Sequence, residues 1–114
     1  MGMGRYVAGD VVLARLGLGN GGDKVRPAVV IGPAEQGTIV VCPVSSRAPG
    51  DAPVHPIALD DFVSGGLDLF DESYVLTVHP CTIRVREVVG KKGRLKPEAF
   101  GPLGAAVRHI PSGR

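Results

Sequence analysis

The chain has 114 residues, of which 44% are hydrophobic and 4% aromatic, and its formal net charge is +2. That length gives one domain with a single modest core, and no run approaches the roughly 20 apolar residues of a membrane-spanning helix. The first ten residues also lack the apolar segment of a signal peptide, so we expect a cytoplasmic protein that is not bound to a membrane.

Three β-branched apolar runs between Asp10 and Ser46 predict a β-meander. The runs are GDVVLARL, VRPAVVIG and TIVVCPVSS, and each is too short for a helix. If the second and third pair antiparallel through the turn PAEQG, Arg26 at the start of one strand lies beside Ser45 and Ser46 at the end of the other. One guanidinium and two hydroxyls then converge at one edge of the sheet, which suits an anionic ligand such as phosphate.

The glycine loop between the first two runs does not predict nucleotide binding. Its sequence GLGNGG at residues 17–22 satisfies the dinucleotide pattern GxGxxG, but that pattern binds phosphate only where a helix begins directly after it. Here residues 23–27 lead into a second strand instead. We interpret the loop as a hairpin connection close to Arg26, and such loops often cover a binding site.

The middle of the chain predicts further short strands. They cover residues 54–59, 67–70, 73–77 and 81–89, with a helical turn or irregular link at 60–66. Pro56 in the first of them indicates a position at the sheet edge. In the last, Ile83 and Val85 alternate with Arg84 and Arg86, so one face carries two arginines, as expected for a half-exposed strand.

The end of the chain predicts a turn and a helix. Residues 90–94, GKKGR, have the chemistry of a turn. After Pro97, apolar residues recur at helical spacing: Phe100, Leu103, Val107 and Ile110. Pro102 predicts a break in that helix with a second start at the proline. Together, the predicted elements are six or seven short strands in an all-β barrel or strongly bent sheet, with a C-terminal helix.

The charges are unevenly distributed along the chain. Residues 51–72 contain six acids and no lysine or arginine, whereas residues 84–96 contain six basic residues and one acid. The basic cluster is compatible with a face that binds RNA or DNA, and equally with a solvated hairpin loop. Charge alone leaves both interpretations open.

The cysteines and histidines do not predict a metal site or a cofactor. Cys42 and Cys81 are far apart and lie inside apolar runs without a CxxC pattern. In a reducing cytosol such residues are buried small hydrophobes. The histidines lack partners at ligand spacing. His79, which lies between two predicted strands, remains a candidate for proton transfer.

Motifs spread over nearly the whole chain resemble the MazF/PemK family of toxin endoribonucleases. They are GD at 9–10, RPAVV at 26–30, VCPVSS at 41–46, GLD at 66–68, SYVL at 73–76, TI at 82–83, GKKG at 90–93 and KPE at 96–98. No single motif is specific, but their order and spacing are. The resemblance implies one MazF/PemK-like domain for residues 1–114, with a core at about 8–110.

The resemblance also implies a fold, an activity and partners. The fold is an SH3-like small β-barrel of six to seven strands with a C-terminal helix, usually a homodimer that a cognate antitoxin protein neutralises. Members typically cleave single-stranded RNA without a metal ion. Arg26 and Ser45 then occupy the positions of the family's catalytic arginine and serine or threonine.

In metal-free cleavage the adjacent ribose 2′-hydroxyl attacks the phosphorus and leaves a 2′,3′-cyclic phosphate and a 5′-hydroxyl. We assign Arg26 the stabilisation of the developing phosphoryl charge, with proton donation to the leaving oxygen as an option, and Ser45 a hydrogen bond to the phosphate. His79 or water takes the 2′ proton, because arginine stays protonated. Further candidates for substrate contact or proton transfer are Ser46 and Asp23. The RNA-binding candidates are Lys24, Arg47, Arg84, Arg86, Lys91 and Lys92.

Two segments depart from the family pattern. The loop before Arg26 is shorter and glycine-rich, with only Asp23 where the family often has Gly-Ser-Glu-Gln, and residues 78–79 are Val-His where many members have an acid followed by Gln. In the family, both segments fall where substrate and antitoxin bind. The RNA sequence preference of family members is therefore not transferred to this chain. Two alternatives stay open: a non-catalytic SH3-like module that binds RNA or a peptide, and a toxin of the same fold that acts on DNA gyrase through its C-terminal helix.

Overall fold

The computed structural model describes residues 6–16, 24–45, 55–65, 73–77 and 80–107. These ranges contain eight strands, two 3₁₀ turns (Leu59–Asp61 and Val85–Glu87) and one helix, α1 (Pro97–Ala106). The strands are β1 (Asp10–Leu16), β2 (Lys24–Pro33), β3 (Thr38–Ser45), β4 (His55–Ile57), β5 (Phe62–Gly65), β6 (Ser73–Val75), β7 (Cys81–Arg84) and β8 (Val88–Leu95). The predicted mainly β fold with a C-terminal helix is confirmed, although the described part has eight strands where the sequence predicts six or seven.

The strands form an antiparallel sheet that curls into a half-barrel. Neighbours follow the order β4-β6-β3-β2-β1-β8-β5, and β7 also pairs with β3. One edge of β3 therefore has two partners, with β7 beside residues 38–41 and β6 beside residues 44–45. The β1-β2-β3 meander that the β-branched runs predict is confirmed.

The central strands are apolar almost throughout because both faces of the sheet are packed. Successive residues of a strand point to opposite faces, so a strand buried on both sides appears in the sequence as a continuous apolar run. On one face, which we call the helix face, Val11, Val29, Cys42 and Val44 cluster with Leu103 of α1. The other face, which we call the barrel face, holds Val12, Ala14, Ala28, Val30 and Val41.

Residues 81–89 are not one strand, as the sequence predicts, but two strands separated by a 3₁₀ turn. The chain has to pass from β3 to β1 there, because β7 pairs with β3 whereas β8 pairs with β1. The Val85 N–H donates to the Gly37 carbonyl at 2.8 Å and fixes the start of the turn. Arg84 and Arg86 are exposed and alternate with half-buried residues, as predicted.

Residues 90–94 lie in the middle of β8, so the prediction of a turn is wrong. The strand bonds to β1 on one side and to β5 on the other, and these long-range ladders outweigh the local turn preference of its glycines. The β1–β8 register shifts twice, which marks bulges. Across from Gly93 lies Gly65, at φ +66°, where a Cβ atom would collide with the carbonyl oxygen of Lys92.

The helix α1 continues through Pro102, so the predicted break is wrong. Pro102 provides no N–H for the carbonyl of Glu98, but both residues are exposed and water can satisfy that carbonyl. The fully buried Leu103 holds the helix on the sheet. Within the described ranges, no helix has the length and apolar character needed to cross a membrane.

The segment after β3 agrees with the sequence only in part. β4 lies at the end of the strand order, which confirms the edge position that Pro56 indicates. The predicted link at 60–66 is a 3₁₀ turn followed by the strand β5. The predicted strand at 67–70 lies outside the described residues.

Asp10, the first residue of β1, is a buried carboxylate held by two cations of β8. Its Oδ1 accepts a hydrogen bond from Arg94 Nε at 2.8 Å and lies 3.2 Å from Lys91 Nζ, while Oδ2 accepts one from the Val7 N–H at 3.0 Å. Burial alone raises the pKa of Asp10, but these donors outweigh burial, so the pKa lies below its ordinary value. The network ties the N-terminal segment to both strands.

We expect Asp10→Asn to lower the free energy of unfolding at neutral pH by about 1–3 kcal/mol, because the hydrogen bonds that Val7 and Arg94 make to a buried charged acceptor are replaced by weaker ones to an amide. The folded-state pKa of Asp10 is depressed, so its contribution is complete above the unfolded pKa of about 3.9 and is lost as pH falls through the folded pKa. Urea unfolding between about pH 5 and pH 2 should therefore show a weaker pH dependence for the variant. Identical pH dependence in both proteins would show that Asp10 contributes nothing through its charge.

Candidate active site

Arg26 and Ser45 lie at the same end of the β2–β3 hairpin, away from its turn. The register pairs Ala28 with Pro43 and Val29 with Cys42, and its continuation by two residues puts Arg26 opposite Ser45. Directly opposed residues of an antiparallel pair point to the same face, with Cβ atoms roughly 5 Å apart. The guanidinium and the hydroxyl therefore share one end of the barrel face.

The guanidinium of Arg26 presents a buried donor. The residue as a whole is partly exposed, but its Nε is buried and has no hydrogen-bond acceptor among the described residues. A buried donor without an acceptor costs about 1–3 kcal/mol, so such groups generally have a specific reason. Among the described residues, no group satisfies this N–H.

The charge of Arg26 is not neutralised by an acid of the described ranges. The ion pairs found there join Asp10 to Lys91 and Arg94, at the other end of β1. On the barrel face the neighbours of Arg26 are the buried Ala14, across the β1–β2 ladder, and Ala28. Because apolar groups screen a charge less than water does, this guanidinium attracts an anion more strongly than a solvated surface arginine.

Tyr74 of β6 lies beside Ser45, on the side of β3 away from Arg26. The sequence did not indicate it as a site residue. Tyr74 pairs with Ser45 across the β3–β6 ladder and is half-buried. The register thus sets Ala14, Arg26, Ser45 and Tyr74 in one row across four strands, pointing to one face. The motif SYVL contains this tyrosine, but only the long-range β3–β6 pairing brings it to the site.

The other predicted site residues are separated from this row or lie outside the described ranges. Lys24 opens β2 opposite Leu16. The basic residues of the β7–β8 segment lie along a different part of the sheet, and one of them is paired with Asp10; they are Arg84, Arg86, Lys91 and Lys92. The candidates outside the described residues are Asp23, Ser46, Arg47 and His79. Within the described part, no group of His, Cys, Asp and Glu side chains could hold a metal ion.

Neither cysteine is suited to act as a nucleophile. Cys42 is fully buried on the helix face, as predicted, and Cys81 is half-buried against the barrel face. Burial, with a smaller effect of the nearby Cys81, raises the pKa of Cys42 to about 12. Burial raises the pKa of Cys81 as well. Since the two side chains pack on opposite faces, they are not oriented for a disulfide.

We expect a thiol reagent at about pH 8 to leave Cys42 unmodified in the folded protein and to modify it fully after denaturation. With a pKa of about 12, only about one thiol in 10⁴ is ionised at that pH, and the thiolate is the reactive form. A Cys81→Ser variant isolates the signal of Cys42. Rapid modification of this variant in its native state would contradict the burial of Cys42.

Comparisons with known proteins bear on both the fold and the family. A toxin MazF-mt6 of Mycobacterium tuberculosis has a similar structure, with a TM-score of 0.64 and 22% identity over 86% of this chain and 91% of that one. MazF from Deinococcus radiodurans has a TM-score of 0.65 and is 21% identical, with 90% of this chain and 92% of that one covered. A mycobacterial endoribonuclease in complex with its cognate antitoxin has a TM-score of 0.58 and is 15% identical, with 90% of this chain and 90% of that one covered.

At these identities the structural likeness shows the fold alone. No curated protein sequence matches the chain. The family model for the PemK-like, MazF-like toxin of type II toxin–antitoxin systems, however, matches residues 8–110. That span includes every described strand and the helix, as well as Arg26 and Ser45. The chain therefore belongs to the PemK-like, MazF-like toxin family of type II toxin–antitoxin systems.

Proposed function

We propose that this toxin is an endoribonuclease that cleaves single-stranded RNA without a metal ion, with Arg26 and Ser45 at the reacting phosphate. One observation carries the proposal: the continued β2–β3 register puts Arg26 opposite Ser45 at the end of two paired strands. The ion pairs of the described residues leave the charge of Arg26 available for a phosphate. MazF-like toxins are generally endoribonucleases, and one structural neighbour of this chain is an endoribonuclease.

The chemistry requires positive charge at the phosphate. The 2′-oxygen forms a bond to phosphorus, the bond from phosphorus to the 5′-oxygen breaks, and the products are a 2′,3′-cyclic phosphate and a 5′-hydroxyl. Negative charge grows on the non-bridging oxygens during the attack. A guanidinium whose donors are already in place stabilises that charge more than it stabilises the substrate, and this difference lowers the barrier.

Ser45 complements the guanidinium with a hydroxyl on the neighbouring strand. Its O–H donates to a non-bridging oxygen and fixes the phosphate relative to Arg26. The proton of the 2′-hydroxyl passes to His79 or to water, and the leaving 5′-oxygen receives a proton from Arg26 or from water. Both strands belong to the packed centre of the sheet, so the two groups are held without reorganisation.

Tyr74 supplies a flat aromatic surface next to Ser45. An unpaired base next to the scissile phosphate can stack on such a ring, whereas a base inside a duplex is already stacked on its neighbours. This arrangement accounts for a preference for single strands. It gives no preference for one base, because every base has an aromatic face.

We also propose that the toxin acts as a homodimer and is neutralised by a cognate antitoxin protein. The mycobacterial neighbour was solved in complex with its cognate antitoxin, which supports an antitoxin as a partner of this toxin. Four basic residues of the β7–β8 segment, Arg84, Arg86, Lys91 and Lys92, contact the RNA backbone in this proposal. Lys91 does so with the donors that Asp10 leaves available.

Incubation of the purified protein with a long single-stranded RNA in EDTA tests the proposed function. We expect cleavage of the single strand and none of the same sequence in a perfect duplex. Intact RNA at a large excess of folded protein would contradict the proposal. Saturable binding of RNA without cleavage would identify the non-catalytic alternative instead.

A further inference from the structure

A groove of about 630 Å³ opens on the described part of the barrel beside the 3₁₀ turn Val85–Glu87. Its floor is formed by Tyr6, Val85 and Val88, which are half-buried because they also pack on the barrel face. Its walls carry Gln36 of the β2–β3 turn and the exposed Arg84 and Arg86. An apolar floor with an aromatic ring thus lies between an amide and two cations.

The chemistry of this groove favours one class of ligand. Two guanidiniums and no acidic side chain of the described ranges line it, so it attracts an anion with two or more charges. The ring of Tyr6 and the amide of Gln36 add a stacking surface and a group that both donates and accepts hydrogen bonds, which suits an unpaired base and its edge. An acidic peptide uses the two cations but makes no comparable use of the ring and the amide.

The groove begins close to the candidate active site. Val88, in its floor, pairs with Ala14, and Ala14 pairs with Arg26 on the next strand. Two strand spacings of about 4.8 Å separate Val88 from Arg26, so their Cα atoms lie roughly 10 Å apart. At its other end the groove reaches the β2–β3 turn, where Glu35 lines an adjacent cavity and its charge repels phosphate.

We infer that this groove is a second RNA-binding site, which holds the single strand on one side of the cleaved phosphate. One unstacked base lies on Tyr6 with its edge at Gln36, and the flanking phosphates contact Arg84 and Arg86. The inference rests on the proposed function, because it assumes that RNA enters at Arg26. It predicts that RNA long enough to reach the groove binds more tightly than a short one.

Binding of a labelled, non-cleavable 2′-O-methyl RNA tests the groove separately from cleavage. We expect the double variant Arg84→Gln/Arg86→Gln to bind a long oligonucleotide more weakly and to reduce the slope of log K against log salt by about 1.4, since each contact with a single strand contributes about 0.7. Tyr6→Leu should weaken binding about 5- to 150-fold, whereas Tyr6→Phe keeps the stacking surface and the affinity. A trinucleotide, which is too short to span both sites, should bind all variants alike.

Arg15→Gln is the matched control, because Arg15 is an exposed arginine of β1 that pairs with Val25 and does not line the groove. The inference is wrong if the groove variants bind the long oligonucleotide as wild type does, or if Arg15→Gln has the same effect as the double variant. It is also wrong if the groove variants lose affinity for poly-glutamate but not for RNA. Failure of the wild type to cleave unmodified RNA overturns the proposed function instead, whatever the groove variants bind.

Discussion

Arg26→Ala should reduce the rate of RNA cleavage about 10³-fold, with little change in the stability of the fold. Removal of one preorganised donor from a developing oxyanion costs about 10²–10³ in rate, and the upper end applies because this donor carries a full charge. Stability changes little because Arg26 Nε makes no hydrogen bond to a described residue, and the ion pairs of the described ranges do not involve Arg26. Single-turnover cleavage of a long single-stranded RNA measures the effect.

Two further variants separate the charge of Arg26 from its geometry. Arg26→Lys keeps the charge but replaces the planar fork of donors by one compact ammonium, so we expect an intermediate rate. Arg15→Ala removes an exposed arginine from the neighbouring strand and should cleave as wild type does. If Arg26→Ala cleaved at the wild-type rate, Arg26 would not be the group that stabilises the transition state.

Ser45→Ala should reduce cleavage about 10²-fold, at the lower end of the same range, because the hydroxyl is a neutral donor. Ser45→Thr retains the hydroxyl on the same strand face and should retain most of the activity. The measurement is again the single-turnover rate, with the unfolding midpoint of each variant as a check on the fold. Equal rates for Ser45→Ala and wild type would remove Ser45 from the site.

The double variant Arg26→Ala/Ser45→Ala shows whether the two residues act together. Groups that bind the same phosphate oxygens lose much of their effect once either is removed, so the double variant should be less impaired than the product of the two single effects. Multiplicative effects would indicate that the residues act independently, contrary to their placement opposite each other in the register.

Local sequence predicted the β2–β3 hairpin and placed Arg26 and Ser45 at the same end of it, because a short turn makes its two strands neighbours. The turn at residues 33–37 does not by itself set which serine faces Arg26, because the β2–β3 register shifts by one residue between Val30 and Gly32. Only with that shift does the continued register bring Ser45 opposite Arg26, and local sequence does not predict it. The roles of these two residues stay a prediction. Ser46 and His79, which lie outside the described residues, likewise stay predictions.

Features that depend on distant strand pairing could not be predicted in the same way. Residues 90–94 have the local chemistry of a turn, and only the pairing of β8 with both β1 and β5 makes them a strand. Tyr74 reaches Ser45 through a pairing of residues far apart in the chain. The groove likewise assembles Tyr6, Gln36 and Arg84 from three distant segments. Such contacts are decided by the packing of the whole sheet and leave no periodic signal in the sequence.

The chemical identity of the new RNA ends tests the central claim most directly. After incubation of a long single-stranded transcript with the toxin in EDTA, the account predicts 2′,3′-cyclic phosphates paired with 5′-hydroxyls, and no cleavage of the same transcript with methylated 2′-oxygens. Fragments that end in 3′-hydroxyls and 5′-phosphates, or cleavage of the 2′-O-methylated strand, would contradict an attack by the 2′-oxygen at a phosphate held by Arg26 and Ser45.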